Sequence, residues 1–192
     1  MLEKIIEWDQ ELFLFLNGKH VSWLDPVMLI LSSYEGWILV CLIMAAFIYI
    51  KSKSWKITAV IAFLLSIAMS GLITNLVKYF VARPRPIHNE AWEGTIHAIE
   101  KYSTSTSFFS SHSATTFTMA VFFFLFVSRN KLNNIYGYLA LIWATTVAYS
   151  RIYLAKHFPV DVTVGILFGI LMGIVGYKIF ECYITKKGNL TI

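Results

Sequence analysis

An all-α, polytopic transmembrane bundle of five to six spans with an N-terminal interfacial helix is the fold class this sequence predicts. Composition is the first sign: 57% of the 192 residues are hydrophobic and only 14% are charged. A water-soluble domain of this size needs more polar surface. The second sign is the length of the uncharged runs. Ile57–Val77 and Val162–Tyr177 carry no charge, and Thr115–Val127 is dominated by Phe, Val, Met and Leu. About twenty such residues cross a bilayer as a helix. The third sign is where the charge goes. It gathers at junctions between runs, above all in SRIYLAKHFPVD (150–161). Charge close to lipid is expensive, and where it occurs it marks function.

The elements follow in chain order. EWDQELFLFLNG (7–18) is of mixed polarity and too short to cross, so residues 1–20 are expected as an interfacial helix. Glu3, Glu7, Asp9 and Glu11 exclude a signal peptide, which needs a cationic start and an unbroken apolar core. Spans are expected at 24–50, 57–78, 111–128, 134–150 and 159–180. Ser32, Ser33, Tyr34, Glu35 and Gly36 interrupt the first, which therefore reads either as one span or as a short membrane helix followed by a true one. Cys41 and Cys182 lie far apart and predict neither a disulfide framework nor a zinc site.

Orientation follows from charge. The segments 51–56, 128–131 and the tail from Lys178 hold eight Lys or Arg and one acid, Glu181. The opposite side also has eight, but Lys78, Arg85 and Arg151 are set aside there for chemistry, leaving five. The positive-inside rule then puts the loop 79–110 outside the cytoplasm. The net charge of +5 alone does not separate orientation from anionic lipid or anionic substrate.

Two helix faces point to one place. Ser66, Ser70, Thr74 and Lys78 form an i, i+4 row of small and polar groups. Asp161, Gly165, Gly169 and Gly173 form a second, with the small-xxx-small spacing that permits close helix contact. Lys78 and Asp161 are thus expected inside the bundle at its extracytoplasmic end.

Three polar clusters share that depth. KYFVARPRP contributes Lys78 and Arg85, and Pro84 and Pro86 end the helix there. FFSSHSATTF places Ser110 and Ser111 at a helix start, a natural anion site, with His112 in the first turn. The third cluster supplies Arg151, His157 and, four residues on, Asp161, whose carboxylate is positioned to accept the ring N–H of His157 and leave the other nitrogen nucleophilic. Singly, each has a plainer reading: an interfacial basic flank, a helix cap, a structural ion pair. Jointly they bring three cations and two histidines to one membrane face. That set suits a phosphate ester, which needs neutralised equatorial oxygens, in-line attack and a protonated leaving oxygen.

The spacing Lys-x6-Arg-Pro, Ser-x-His and Ser-Arg-x5-His-x3-Asp resembles the membrane branch of the type-2 phosphatidic acid phosphatase superfamily, which is related to vanadium haloperoxidases. The motifs run from Lys78 to Asp161, and the span pattern extends the likeness over most of the chain. The resemblance implies a single membrane-embedded phosphatase domain over 1–192, with catalytic motifs in 78–161. It implies that Lys78, Arg85 and Arg151 bind phosphate oxygens, aided by Ser110 and the amide of Ser111. It further implies that His157 attacks phosphorus, Asp161 orients it, and His112 protonates the leaving group and then activates water, with no metal or other cofactor. One departure stands out: the usual Pro-Ser-Gly-His is Phe109-Ser110-Ser111-His112 here.

A phosphorylated membrane lipid and the bilayer are the expected partners, and no nucleic acid is expected. Family likeness offers polyprenyl diphosphates, lipid A phosphates, phosphatidylglycerol phosphate and phosphatidic acid, with the lipid A phosphate and undecaprenyl diphosphate classes preferred. The expected location is a bacterial cytoplasmic membrane, with the site facing the periplasm or exterior. Trp92, Tyr102, Phe108 and Phe109 in the loop 87–109 are expected to dip into the interface. Rival readings are a metal site at His88, Glu90, Glu93 and His97, whose spacing fits no ligand pattern, a lipid-binding scaffold, and lipid-to-lipid phosphotransfer by the same histidine.

Overall fold

The computed structural model describes residues 2–100 and 105–188. It is all-helical among these residues, with α1 (Leu2–Asn17), α2 (Asp25–Ser32), α3 (Tyr34–Lys51), α4 (Lys56–Val81), α5 (Ser111–Arg129), α6 (Ile135–Tyr153) and α7 (Pro159–Gly188). Four of them, α3, α4, α5 and α7, are long and apolar enough to cross a membrane. The span expected at 134–150 forms as α6, which is not among those four.

The region expected at 24–50 is two helices. Ser33 adopts an extended backbone, and its hydroxyl caps α3 by accepting the Gly36 amide at 3.1 Å. The short-helix alternative is therefore the one realised. α4 closes in a left-handed Ala82, and Pro84 and Pro86 prevent its continuation. Pro159 opens α7, where the Asp161 carboxylate accepts the Phe158 amide at 3.0 Å.

The most buried candidate span is α5, and α3, α4, α6 and α7 pack around it. The glycine row makes this possible on the α7 side. A Cβ at Gly165 would lie 2.7 Å from the Ser110 carbonyl oxygen, and one at Gly169 only 2.4 Å from that of Ala114. Backbones this close exclude any side chain. The polar row on α4 also faces inward: Ser66, Ser70, Thr74 and Lys78 are all buried, and Ser70 Oγ accepts from Thr118 of α5 at 3.1 Å. Lys78 and Asp161 reach the interior end of the bundle as expected.

The amphipathic α1 has the character of an interfacial helix. Ile5, Trp8, Leu12 and Phe15 present an exposed apolar stripe, with Trp8 64% and Phe15 60% accessible. The opposite face buries Asp9, Phe13 and Asn17. Asn17 fastens the helix: its amide donates to the Ile152 and Tyr153 carbonyls, and its oxygen accepts the His97 amide at 2.7 Å.

The loop aromatics depart from expectation. Trp92 stacks on Phe13 of α1, and Phe109 is buried against Phe168. Trp92 also meets Phe158 edge-on. Phe108 is half-buried beside Phe109, and Tyr102 lies outside the described residues.

Candidate active site

One cavity of about 580 Å³ collects the sequence motifs. Lys78 from the end of α4, Arg85 from the following loop, Ser111 and His112 from the start of α5, Arg151 from the end of α6 and His157 from the α6–α7 turn all line it. Residues more than seventy positions apart thus share one wall, because α4, α5, α6 and α7 meet at this end of the bundle. Tyr34, Trp37, Gly71, Asn75 and Thr115 extend the cavity along α3, α4 and α5.

The cations also build the walls. Lys78 Nζ donates to the Thr106 and Ser107 carbonyls at 2.5 and 3.1 Å. Arg85 clamps Ser105 through Nε to its carbonyl and Nη2 to its hydroxyl, both at 2.7 Å. Its Nη1 donates to the Lys156 carbonyl at 3.0 Å and lies 3.5 Å from His157 Nε2. Arg151 is buried and bonds Ser32 Oγ through Nη1. Its Nε and the Trp37 Nε1 are buried donors without a protein acceptor, and both residues line the cavity. The wall itself is strongly positive, carrying Lys78, Arg85, Arg151 and Lys156.

His157 is buried, with Nε2 on the cavity side beside Arg85 and Nδ1 on the protein side. Burial, reinforced by the charges of Arg151, Arg85 and Lys78, holds its pKa well below the ordinary histidine value. This favours the neutral imidazole.

Asp161 pairs with His157, as the spacing suggests, but at longer range than a hydrogen bond. The carboxylate Oδ2 lies 3.7 Å from Nδ1, beyond hydrogen-bonding range. Ser107 sits beside both, its hydroxyl donating to Oδ2 at 2.5 Å and lying 3.3 Å from Nδ1. Arg83 Nη1 occupies Oδ1 at 2.7 Å, while Nη2 of the same guanidinium binds Asp9 of α1 at 2.8 Å. The carboxylate is thus fully engaged by Ser107, Arg83 and the Phe158 amide.

Ser110 also departs from expectation. It is buried behind the cavity wall, where its Oγ accepts the Ser113 amide at 3.3 Å and the Ser113 hydroxyl at 2.9 Å. Its position is that of the α5 N-cap. Ser111, in the place where the family pattern has glycine, lines the cavity. The Tyr34 ring sits 5.2 Å from that of His112 and borders it.

Sequence reasoning passed over Ser107, Arg83, Asp9, Ser32 and Trp37. Arg83 had a visible signal, as a third cation inside KYFVARPRP. The others had none, since they meet the site only through the tertiary fold. Of the rival metal ligands, His97 pairs with Asp25 at 2.9 Å and stacks on His20.

The PAP2 superfamily pattern matches residues 59–183. The chain is 30% identical over 184 residues to a lipid A 4'-phosphatase of Porphyromonas gingivalis, spanning 93% of this chain and 75% of that protein. It is 31% identical over 170 residues to an undecaprenyl-diphosphatase of Sulfolobus acidocaldarius, spanning 87% and 76%. The crystal structure of Aquifex aeolicus LpxE superposes with a TM-score of 0.69 at 27% identity, covering 88% of this chain and 94% of that one. A transmembrane PAP2 type phosphatidylglycerolphosphate phosphatase from Bacillus subtilis shares the fold, with a TM-score of 0.75 at 22% identity over 93% and 87% of the two chains.

Proposed function

The chain belongs to the PAP2 superfamily, and from that premise we propose that it is an integral membrane lipid phosphatase. It removes a phosphate group from a lipid head group at the extracytoplasmic face of a bacterial cytoplasmic membrane, through a phosphohistidine. Residues 1–192 act as one membrane-embedded unit. The observation that carries this reading is the convergence of Lys78, Arg85, Arg151, His112 and His157 on one cavity. Its extension past Gly71 and Asn75 of α4 suits an amphiphile whose tail stays in the bilayer.

Lys78, Arg85 and Arg151 hold the equatorial phosphate oxygens, and the helix start at Ser111 adds an amide. Ser110 serves by capping α5 and fixing that amide. His157 keeps its proton on Nδ1, facing Ser107 Oγ, so Nε2 carries the free lone pair. Nε2 bonds to phosphorus as the bridging P–O bond breaks, and His112, which enters the step as an imidazolium held by the bound phosphate dianion, gives its proton to the departing lipid oxygen. Neutral His112 then takes a proton from water. The hydroxide attacks phosphorus, the N–P bond breaks, and inorganic phosphate leaves. Asp161 acts through Ser107 and stabilises the positive charge that His157 gains. Apart from the attacking water, every group used here is a side chain or backbone amide of the protein, and no step calls on a metal.

The 30% and 31% identities support a lipid A phosphate or a polyprenyl diphosphate as substrate class. The deciding experiment is phosphate release by purified protein from four lipids, with and without EDTA: lipid A, undecaprenyl diphosphate, phosphatidylglycerol phosphate and phosphatidic acid. Release from at least one, unchanged by EDTA, is expected. No release from any, release that needs an added divalent ion, or label moving only to a second lipid would overturn the reading.

A further inference from the structure

The cavity wall holds more positive charge than one phosphate group uses. Besides Lys78, Arg85 and Arg151 it carries Lys156, which the three sequence motifs leave unassigned. Lys156 is fixed at its backbone: its amide donates to the Arg151 carbonyl at 2.9 Å and its carbonyl accepts from Arg85. Its side chain is only 6% exposed.

The Lys156 ammonium binds Glu100 twice, through the carboxylate at 2.9 Å and the carbonyl at 3.3 Å. The two partners differ in freedom. The Glu100 side chain is 53% exposed at the cavity edge, so water can solvate it if the pair opens. Lys156 has no such option, and a buried cation left without a counter-charge is strongly unfavourable. A ligand that displaces Glu100 must therefore bring its own negative charge to Lys156.

We infer that Lys156 is a subsite for a second phosphate group, covered by Glu100 until a lipid diphosphate replaces it. This deepens the proposed function and rests on it. The terminal phosphate occupies Lys78, Arg85 and Arg151, and the phosphate next to the lipid pairs with Lys156. In the transfer, the bond from His157 Nε2 to the terminal phosphorus forms and the bond to the bridging oxygen breaks. The lipid monophosphate leaves with the proton from His112. A monophosphorylated lipid uses the first subsite only and leaves the Lys156–Glu100 pair closed.

The test compares farnesyl diphosphate with farnesyl monophosphate on the purified full chain, with Lys156→Gln and Glu100→Gln. Losing a charge-assisted contact predicts that Lys156→Gln lowers kcat/KM for the diphosphate about 10- to 100-fold and for the monophosphate by less than about threefold. Glu100→Gln keeps the lysine and removes its competitor, so the KM for the diphosphate falls and inorganic pyrophosphate becomes a stronger inhibitor, while inhibition by inorganic phosphate stays the same. Equal losses on both substrates in Lys156→Gln would make the pair a structural tether and overturn the inference. So would an unchanged diphosphate rate, or weaker pyrophosphate inhibition in Glu100→Gln. If Lys156→Gln does not fold, the Glu100→Gln comparison decides alone. Wild-type protein releasing phosphate from neither lipid would instead count against the phosphatase reading itself.

Discussion

Ser107 Oγ lies 2.5 Å from Asp161 Oδ2 and 3.3 Å from His157 Nδ1, so one hydroxyl joins a carboxylate and an imidazole that are themselves 3.7 Å apart. The carboxylate proposed to orient His157 thus reaches it directly and through this hydroxyl. Removing Asp161 as Asp161→Asn is expected to lower kcat by about 10²–10⁴, as for orienting carboxylates in hydrolytic triads. Ser107→Ala should cost less, about one to two orders of magnitude, because the carboxylate still polarises the site across the space. Ser107→Thr keeps the oxygen and should restore most of the rate. KM should hold in all three, since the proposed phosphate ligands Lys78, Arg85 and Arg151 are unchanged. A folded Ser107→Ala with wild-type kcat would show that the hydroxyl only fills space.

The state of His157 predicts a pH response with a definite sign. Its folded pKa lies well below the ordinary value, chiefly because it is buried and further because of Arg151, Arg85 and Lys78. Above about pH 6.5 the ring is neutral both folded and unfolded, and it contributes nothing to pH dependence. Below that, the unfolded chain takes up a proton that the folded protein resists. Stability is then lost as pH falls, by up to about 1.4 kcal/mol per pH unit until the folded pKa is reached. Thermal denaturation at pH 5 and pH 7 measures this. In His157→Gln the difference should shrink; an identical pH dependence in that variant would place the acid sensitivity elsewhere.

Contact between α5 and α7 is the packing on which the site depends. A Cβ at Gly169 would sit 2.4 Å from a backbone oxygen of α5, whereas one at Gly71 would meet only a Thr115 methyl at 3.9 Å. Gly169→Ala is expected to destabilise by about 1–3 kcal/mol through overpacking, and Gly71→Ala by far less. Melting temperatures in one detergent compare the two. Similar values would mean that α7 shifts without strain.

The charge asymmetry predicts the side of the membrane. In a variant lacking Cys41 and Cys182, Glu93→Cys should react with an impermeant thiol reagent added outside intact spheroplasts, and Lys53→Cys should not. Both positions are exposed at opposite ends of the bundle. The reverse pattern would put the chemistry in the cytoplasm.

The sequence made the site legible where periodicity and motif spacing coincide. Lys78 could be placed inside the bundle because Ser66, Ser70 and Thr74 precede it at helical spacing, and Asp161 because glycines follow it. Ser107 could not be found that way. It sits in a loop with no period, and its partners are brought to it by the packing of α5 on α7. The link from Asp9 through Arg83 to Asp161 escaped for the same reason: it joins the interfacial helix to the first turn of α7. The stacking of Trp92 on Phe13 was not legible either, because an aromatic in a loop of a membrane protein suits lipid and protein equally.

The central claim is that His157 becomes covalently phosphorylated while His112 governs release. Rapid quenching of purified His112→Ala with a substrate labelled in its terminal phosphate tests it most directly. The account predicts acid-labile, alkali-stable label accumulating on the protein, mapped to the peptide containing His157, and none in His157→Ala. A protein that stays unlabelled in His112→Ala while wild type releases phosphate, or label that persists in His157→Ala, would contradict it.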